Sequence, residues 1–147
     1  MRFALPHTFA GAALCALLAL SALPADAGSN RVTVDQWGRE NSIATTQQGH
    51  RQRISITQNG RSNLALHRQD GARNRVVVGQ SGCNNVADTE QGGARNIVGI
   101  SQMGCRNDAT VTQGGHRNAV GVIQTGSGNT AKATQHGTGN VVLIIQD

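Results

Sequence analysis

The side chains with the most regular spacing in this 147-residue sequence are amides, and amides do hydrogen-bond chemistry rather than group transfer. Asn stands at Asn30, Asn41, Asn63, Asn74, Asn85, Asn96, Asn107, Asn118, Asn129 and Asn140, on an eleven-residue period with Gln52 in the one missing slot. Six residues after each slot comes a Gln: Gln36, Gln47, Gln58, Gln69, Gln80, Gln91, Gln102, Gln113, Gln124, Gln135 and Gln146. Two residues after every one of these but the last comes a Gly, from Gly38 to Gly137. Stacked in register, identical amides hydrogen-bond to one another as ladders. Register matters because a buried amide without a partner costs about 1–3 kcal/mol. The alternative is a set of surface amides carried along by sequence duplication, and their place on the same face as Val and Ile weighs against it. No Ser/His/Asp or Cys/His set, paired carboxylates or phosphate-binding loop stands out from the repeat, so the sequence reads as a non-enzyme without a cofactor.

Ladders require strands held one above another. Each unit reads N-x-φ-x-φ-x-Q-x-G-x-x, with φ mostly apolar. The first seven residues alternate with the period of a strand, and the last four read as a turn. Asn, both φ positions and Gln therefore share one face, while residues such as Arg31, Thr33 and Asp35 take the other. In odd-numbered strands the φ pairs are always Val or Ile: Val32/Val34, Ile54/Ile56, Val76/Val78, Val98/Ile100, Val120/Val122 and Val142/Ile144. In even-numbered strands they are mostly smaller or more polar: Ile43/Thr45, Ala65/His67, Ala87/Thr89, Ala109/Val111 and Ala131/Ala133. The true repeat is thus a pair of eleven-residue units, with odd strands stacking into one sheet and even strands into another. The expected fold is all-β: an amyloid-like two-sheet β-solenoid of strand-turn-strand coils, with two eleven-residue units per coil and eleven short strands. Five and a half coils would span roughly 26 Å at the ~4.8 Å strand spacing. Three aromatic residues cannot build an ordinary globular core, and low hydrophobicity alone suggests disorder; the strict period favours a thin core shared between coils.

The segment from Met1 to Ala27 reads as a secretory signal peptide. Arg2 gives a basic start, Ala10 to Leu23 a small-residue apolar stretch, and Pro24-Ala25-Asp26-Ala27 an A-x-A pattern with cleavage after Ala27. Cys15 would suggest a lipoprotein anchor, but bulky Leu14 precedes it. Residues 28–147 then form a single repeat domain of eleven units from Asn30 to Gln146, with a net charge of +5 from eleven Arg and one Lys against seven acids. Cys83 and Cys105 lie two units apart, so the solenoid places them on adjacent coils. A separation of about 4.8 Å is within disulfide range. An exported chain meets an oxidising compartment, so the spacing favours a bridge over free thiols. Two Cys without clustered His do not make a metal site. Arg51, Arg73, Arg95 and Arg117, also spaced by two units, form one edge that either solubilises the turns or binds anionic polysaccharide, lipopolysaccharide or nucleic acid. Sequence-specific nucleic-acid recognition has no support, since aromatic platforms are lacking. His67 takes an inward position between Thr45 and Thr89. It is either a neutral partner of those threonines or a site whose protonation weakens assembly at low pH.

The repeat resembles the curlin family, the subunits of bacterial curli amyloid fibres. The family motif Q-x-G-x-G-N-x-A-x-x-x-Q is matched in full by Gln124-Thr125-Gly126-Ser127-Gly128-Asn129-Thr130-Ala131-Lys132-Ala133-Thr134-Gln135, and more loosely over Gln80 to Gln91 and Gln102 to Gln113. Two departures stand out. The Gly before Asn is present at Gly128 and Gly139 but replaced elsewhere by Arg, Asn, Ser or Glu, so those turns are expected to differ in conformation. The family's Gly-rich amino-terminal segment, which addresses subunits to their secretion channel, is reduced to Gly28 and Ser29 before the first repeat. The resemblance implies a fibre subunit, major or minor, exported through the periplasm to the cell surface or extracellular matrix. It implies a curli-type nucleator and outer-membrane secretion machinery as partners, and roles in adhesion and biofilm matrix.

The residues point the same way. Bare first and last strands are templating edges, and the last strand is apolar on both faces: Val141, Val142, Leu143, Ile144, Ile145. Head-to-tail contact of such ends is open and makes filaments. Because eleven is odd, strands 1 and 11 are of the same type, and the joint between copies is expected to differ from the interior coils. The rival reading is a monomeric β-solenoid adhesin or fibre nucleator that binds anionic surfaces through its Arg edge. An ice-binding solenoid would need a flat outward Thr array, and a calcium-binding one Gly-Gly-x-Gly-x-Asp runs; the sequence has neither.

Overall fold

The computed structural model describes residues 28–147; the signal-peptide reading, Cys15 and the cleavage point after Ala27 fall outside the described residues. Eleven strands follow in order: β1 (Arg31–Arg39), β2 (Ser42–His50), β3 (Arg53–Arg61), β4 (Leu64–Ala72), β5 (Arg75–Cys83), β6 (Val86–Ala94), β7 (Ile97–Cys105), β8 (Asp108–His116), β9 (Ala119–Ser127), β10 (Thr130–Thr138) and β11 (Val141–Gln146). Odd strands form a six-stranded sheet in the order β1-β3-β5-β7-β9-β11, and even strands a five-stranded sheet from β2 to β10. All neighbours are parallel, and each residue pairs with its equivalent one coil on, as in Gln58↔Gln80 and Gly60↔Gly82. The molecule is a two-sheet β-solenoid with a 22-residue coil.

Alternation along each strand builds the core. The six-stranded sheet contributes Ile54, Ile56, Val76, Val78, Val98, Ile100, Val120 and Val122, all buried. The five-stranded sheet contributes Ala65, Ala87, Ala109, Val111, Ala131 and Ala133. Branched side chains of one sheet face mostly small ones of the other, so the two layers interdigitate without aromatic filling. At the amino-terminal end the inward Val32 and Val34 remain 45 % and 44 % exposed, because no coil lies beyond them among the described residues.

Two turn features differ from the sequence expectation. First, strands run nine residues, not seven, with β11 at six, because ladder pairing continues through the turn Gly. In-register stacking sets each turn Gly over the next coil's turn Gly, as in Gly60↔Gly82, so the ladder does not stop at the turn. Second, the residue before each Asn is left-handed whatever its type: φ is 58° at Glu40 and Arg73, 54° at Asn84, 59° at Arg95, and 79° and 73° at Gly128 and Gly139. The turns with Arg do not differ from the turns with Gly. The reason is coil-to-coil bonding: Arg73 N–H donates to the His50 carbonyl at 3.0 Å, as Gly139 N–H does to His116. This stacking overrides a local penalty of about 1–2 kcal/mol per non-Gly residue.

The turn Gly itself is not replaceable in the same way. Gly82 has φ of 112°, and a Cβ there would collide with the carbonyl oxygen of Gly104 on the next coil. Gly79, on the outer face, has open space around it. Gly82→Ala is therefore expected to lower unfolding stability by at least about 2 kcal/mol, and Gly79→Ala by less than about 1 kcal/mol. Denaturant midpoints of the two variants check the difference; equal midpoints would show that the turn backbone relaxes around a side chain.

Candidate functional site

The two amide columns use the same chemistry differently. Each Gln Nε2 donates to the Oε1 of the Gln one coil on, at 2.7–3.0 Å in Gln36→Gln58→Gln80→Gln102→Gln124→Gln146. The other sheet repeats this at 2.8–3.0 Å in Gln47→Gln69→Gln91→Gln113→Gln135. In every pair the donor points toward the carboxyl-terminal end. The second Nε2 hydrogen crosses to the other sheet, from Gln80 to the Leu64 carbonyl at 3.0 Å and from Gln102 to Val86 at 2.8 Å. Gln therefore ties coil to coil and sheet to sheet at once. Gln58, Gln69, Gln102 and Gln124 are fully buried.

The Asn column corrects the expectation of an amide-to-amide ladder. Asn96 Nδ2 donates to the Gly92 carbonyl of its own turn at 2.8 Å and to the Gly115 carbonyl one coil on at 3.0 Å. Its Oδ1 accepts from the backbone N–H of Asn118 at 3.1 Å. Asn41, Asn63, Asn74, Asn85, Asn107 and Asn118 likewise donate to turn carbonyls, and a direct Asn-to-Asn side-chain bond occurs at Asn63→Asn41, 3.2 Å. The shorter side chain reaches mainly backbone carbonyls of the turns, so Asn staples the turn. At the missing slot Gln52 keeps the donor bonds, to Gln48 and Gly71, but its buried Oε1 has no partner. One extra methylene carries the acceptor past the next coil's N–H. At the column ends Asn30 donates to Gly49, Asn140 to His136 and Asn129 to Thr125, while Gln135 Nε2 is buried without a partner.

Cys83 and Cys105 are in register on β5 and β7 and joined as a disulfide, with Cα atoms 4.5 Å apart. His67 is buried on β4; its Nδ1 lies 2.6 Å from Thr89 Oγ1, while Nε2 has no partner and no bond to Thr45 forms. Burial pushes its pKa down to about 4, so the ring is neutral at pH 7. Asp88, on the outer face of β6, is held above the usual carboxylate range by burial and by the neighbouring Glu90 and Asp108.

The Arg edge is larger than the single turn row suggests. Arg51, Arg73 and Arg95 line a groove of about 550 Å³ together with Arg53 and Arg75, and no acidic residue lines it. Arg117 continues the turn row beyond the groove. The second column, Arg31, Arg53 and Arg75, is in register on β1, β3 and β5. Of these three only Arg31 is placed from the sequence, as an outward-facing residue. Their own two-unit spacing was the available signal.

Among known families, the curlin associated repeat matches residues 50–82 and 104–137. These stretches cover most of β3–β5 and of β8–β10. No curated protein matches the chain.

Two substitutions probe this site. Gln102→Leu keeps shape but leaves Gln80 Nε2 and Gln124 Oε1 facing a methyl, so a loss of about 2–4 kcal/mol in unfolding stability is expected. A loss below about 1 kcal/mol, read from denaturant midpoints, would mean the ladder adds little beyond packing. For His67, the unfolded ring takes a proton below about pH 6.5 and the folded ring resists until about pH 4. Its contribution is full above pH 6.5 and is lost as the pH falls toward 4, by at most about 3 kcal/mol. His67→Thr should flatten the fall of the denaturant midpoint across that window; an unchanged slope would assign it to other groups.

Proposed function

The chain belongs to the curlin family, and we propose that it is a secreted structural subunit whose activity is its own polymerisation into extracellular curli-like amyloid fibres, serving cell adhesion and biofilm matrix. The observation that carries this reading is the complementarity of the two solenoid ends. Every Gln donates toward the carboxyl-terminal end, so Gln135 Nε2 is left as a buried donor without a partner. At the other end Gln36 and Gln47 begin the two columns, and their Oε1 atoms face no coil beneath them among the described residues. The half-exposed Val32 and Val34 lie at the same end, and the outward-facing Val141, Leu143 and Ile145 of β11 at the other. Docking one copy's β10/β11 end on another's β1/β2 end with a half-turn rotation, so that β1 follows β10 and β2 follows β11, extends both ladders and covers the inward Val32 and Val34. Such contact is heterologous and does not close, so it grows a filament.

Six odd strands against five even ones make the joint unlike the interior. A copy translated without rotation sets β1 over β11 and leaves one slot empty in the even sheet. A copy rotated by half a turn puts an odd-type strand into that slot. The amino-terminal segment with its signal-peptide character supports passage through the periplasm to the cell surface. By family, a nucleator and an outer-membrane secretion apparatus are the partners for that passage.

Purified protein diluted from denaturant at micromolar concentration should give unbranched, thioflavin-positive fibres with reflections near ~4.7 and ~10 Å. Preformed fibres should shorten the lag. A soluble monomer with β-type circular dichroism would overturn the fibre reading and leave a monomeric solenoid adhesin or nucleator acting through its Arg edge.

A further inference from the structure

The arginine groove is a polyanion site that the fold does not need. Three observations meet there. Five arginines, Arg51, Arg53, Arg73, Arg75 and Arg95, surround one groove of about 550 Å³ with no carboxylate in its lining. In-register pairing sets like charge over like charge, Arg53 over Arg75 in one column and Arg73 over Arg95 in the other. Stacked cations at the strand spacing of about 4.8 Å repel one another.

The third observation is backbone strain. Arg51, Arg73, Arg95 and Arg117 all take left-handed conformations, at φ of 56–59°. Gly occupies the same slot at Gly139 and makes the same backbone hydrogen bond. The equivalent slots on the opposite edge hold Glu40, Ser62, Asn84, Arg106 and Gly128, a mixed set. One edge alone thus carries four successive arginines against both strain and repulsion. Strain at a position where a relaxed alternative fits points to function.

We propose that this groove binds a linear acidic polysaccharide, with carboxylates of successive sugars seated between the two guanidinium columns. A linear polymer fits because both columns run along the solenoid with one arginine per coil, a step close to the length of one sugar in an extended chain. Carboxylates fit because the planar guanidinium fork takes them bidentately. Nucleic acid fits less well: no aromatic side chain lines the groove to stack a base. The site lies within one chain, so it does not rest on polymerisation.

The test measures binding of the purified protein to polygalacturonate, with dextran as neutral control and a DNA duplex as competitor class, at physiological salt. Two variants each lose two charges: Arg73→Gly/Arg95→Gly in the groove, and Arg39→Gln/Arg61→Gln on the opposite edge. The groove variant should weaken polygalacturonate binding about tenfold or more while the opposite-edge variant stays within about twofold. The groove variant's denaturant midpoint should not fall, since Gly relieves the left-handed turn, so lost binding is not lost folding. Equal weakening by both variants would reduce the effect to net charge. DNA bound as tightly as polygalacturonate would overturn the polysaccharide assignment, as would no binding to polygalacturonate.

Discussion

The hydrogen-bond demand of buried amides governs this molecule. A Gln in the core needs partners for two donors and an acceptor, and here the partners are the Gln of the next coil and a carbonyl of the opposite sheet. Both are available only when coils are stacked at a strict 22-residue interval. A slip of one residue would turn each inward side chain outward. It would also take the slipped strand's Gln out of the ladder and leave its buried neighbours unpaired, each at about 1–3 kcal/mol. The fold is thus defined by satisfied polarity more than by apolar volume. That is why a core of Val, Ile and Ala suffices, and why outward residues vary without disturbing it.

The same demand makes the stack uneven. Its two interior defects are close together: Gln52 in an Asn slot, with an orphaned Oε1, and His67 in a Thr-like slot, with an orphaned Nε2. Both lie in the second coil, next to a first strand that is exposed along its whole length. Further on, the disulfide joins β5 to β7 at the coil edge, and the inward Ala65, Ala87 and Ala109 of the even strands are completely buried. Local opening follows the number of satisfied buried contacts. The amino-terminal coils are therefore the softer part of the solenoid, and the middle is its most tightly held part.

Most of this architecture was legible in the sequence because the period is written in residue types. Strand alternation gave the faces, and the Val/Ile against Ala/Thr rhythm separated the two sheets. Three features were not legible, each for a physical reason. Strand ends ran past the turn Gly because parallel stacking pairs Gly with Gly, which single-unit propensity cannot express. Arg, Ser and Asn in the stacked turns adopted the same left-handed conformation as Gly because the coil-to-coil hydrogen bond of that residue outweighs its local preference. Asn stapled backbone where Gln built a ladder, a difference of one methylene in reach. At the Arg edge the turn row was legible from its spacing. The column of Arg31, Arg53 and Arg75 belongs to another strand position and joins the row only once the turn folds them onto one groove.

On the fibre reading proposed above, assembly would apply the interior stacking interaction a second time, and this sets a condition on the outer surface. A strand stack that satisfies itself coil by coil has no internal reason to stop, so the surface must keep growth along the axis from becoming growth sideways. The first outward column does this in two ways along its length. It is charged at Arg31, Arg53 and Arg75, then turns apolar at Ile97, Ala119 and Val141, where Ile97 is 49 % and Val141 77 % exposed. In a head-to-tail polymer the charged stretch would recur once per copy, so two filaments could not lay continuous apolar faces together. Axial growth joins complementary ends, whereas lateral contact brings arginine against either arginine or hydrocarbon. In such a polymer the repeat within the core would drive extension, and the broken repeat on the surface would keep extension one-dimensional.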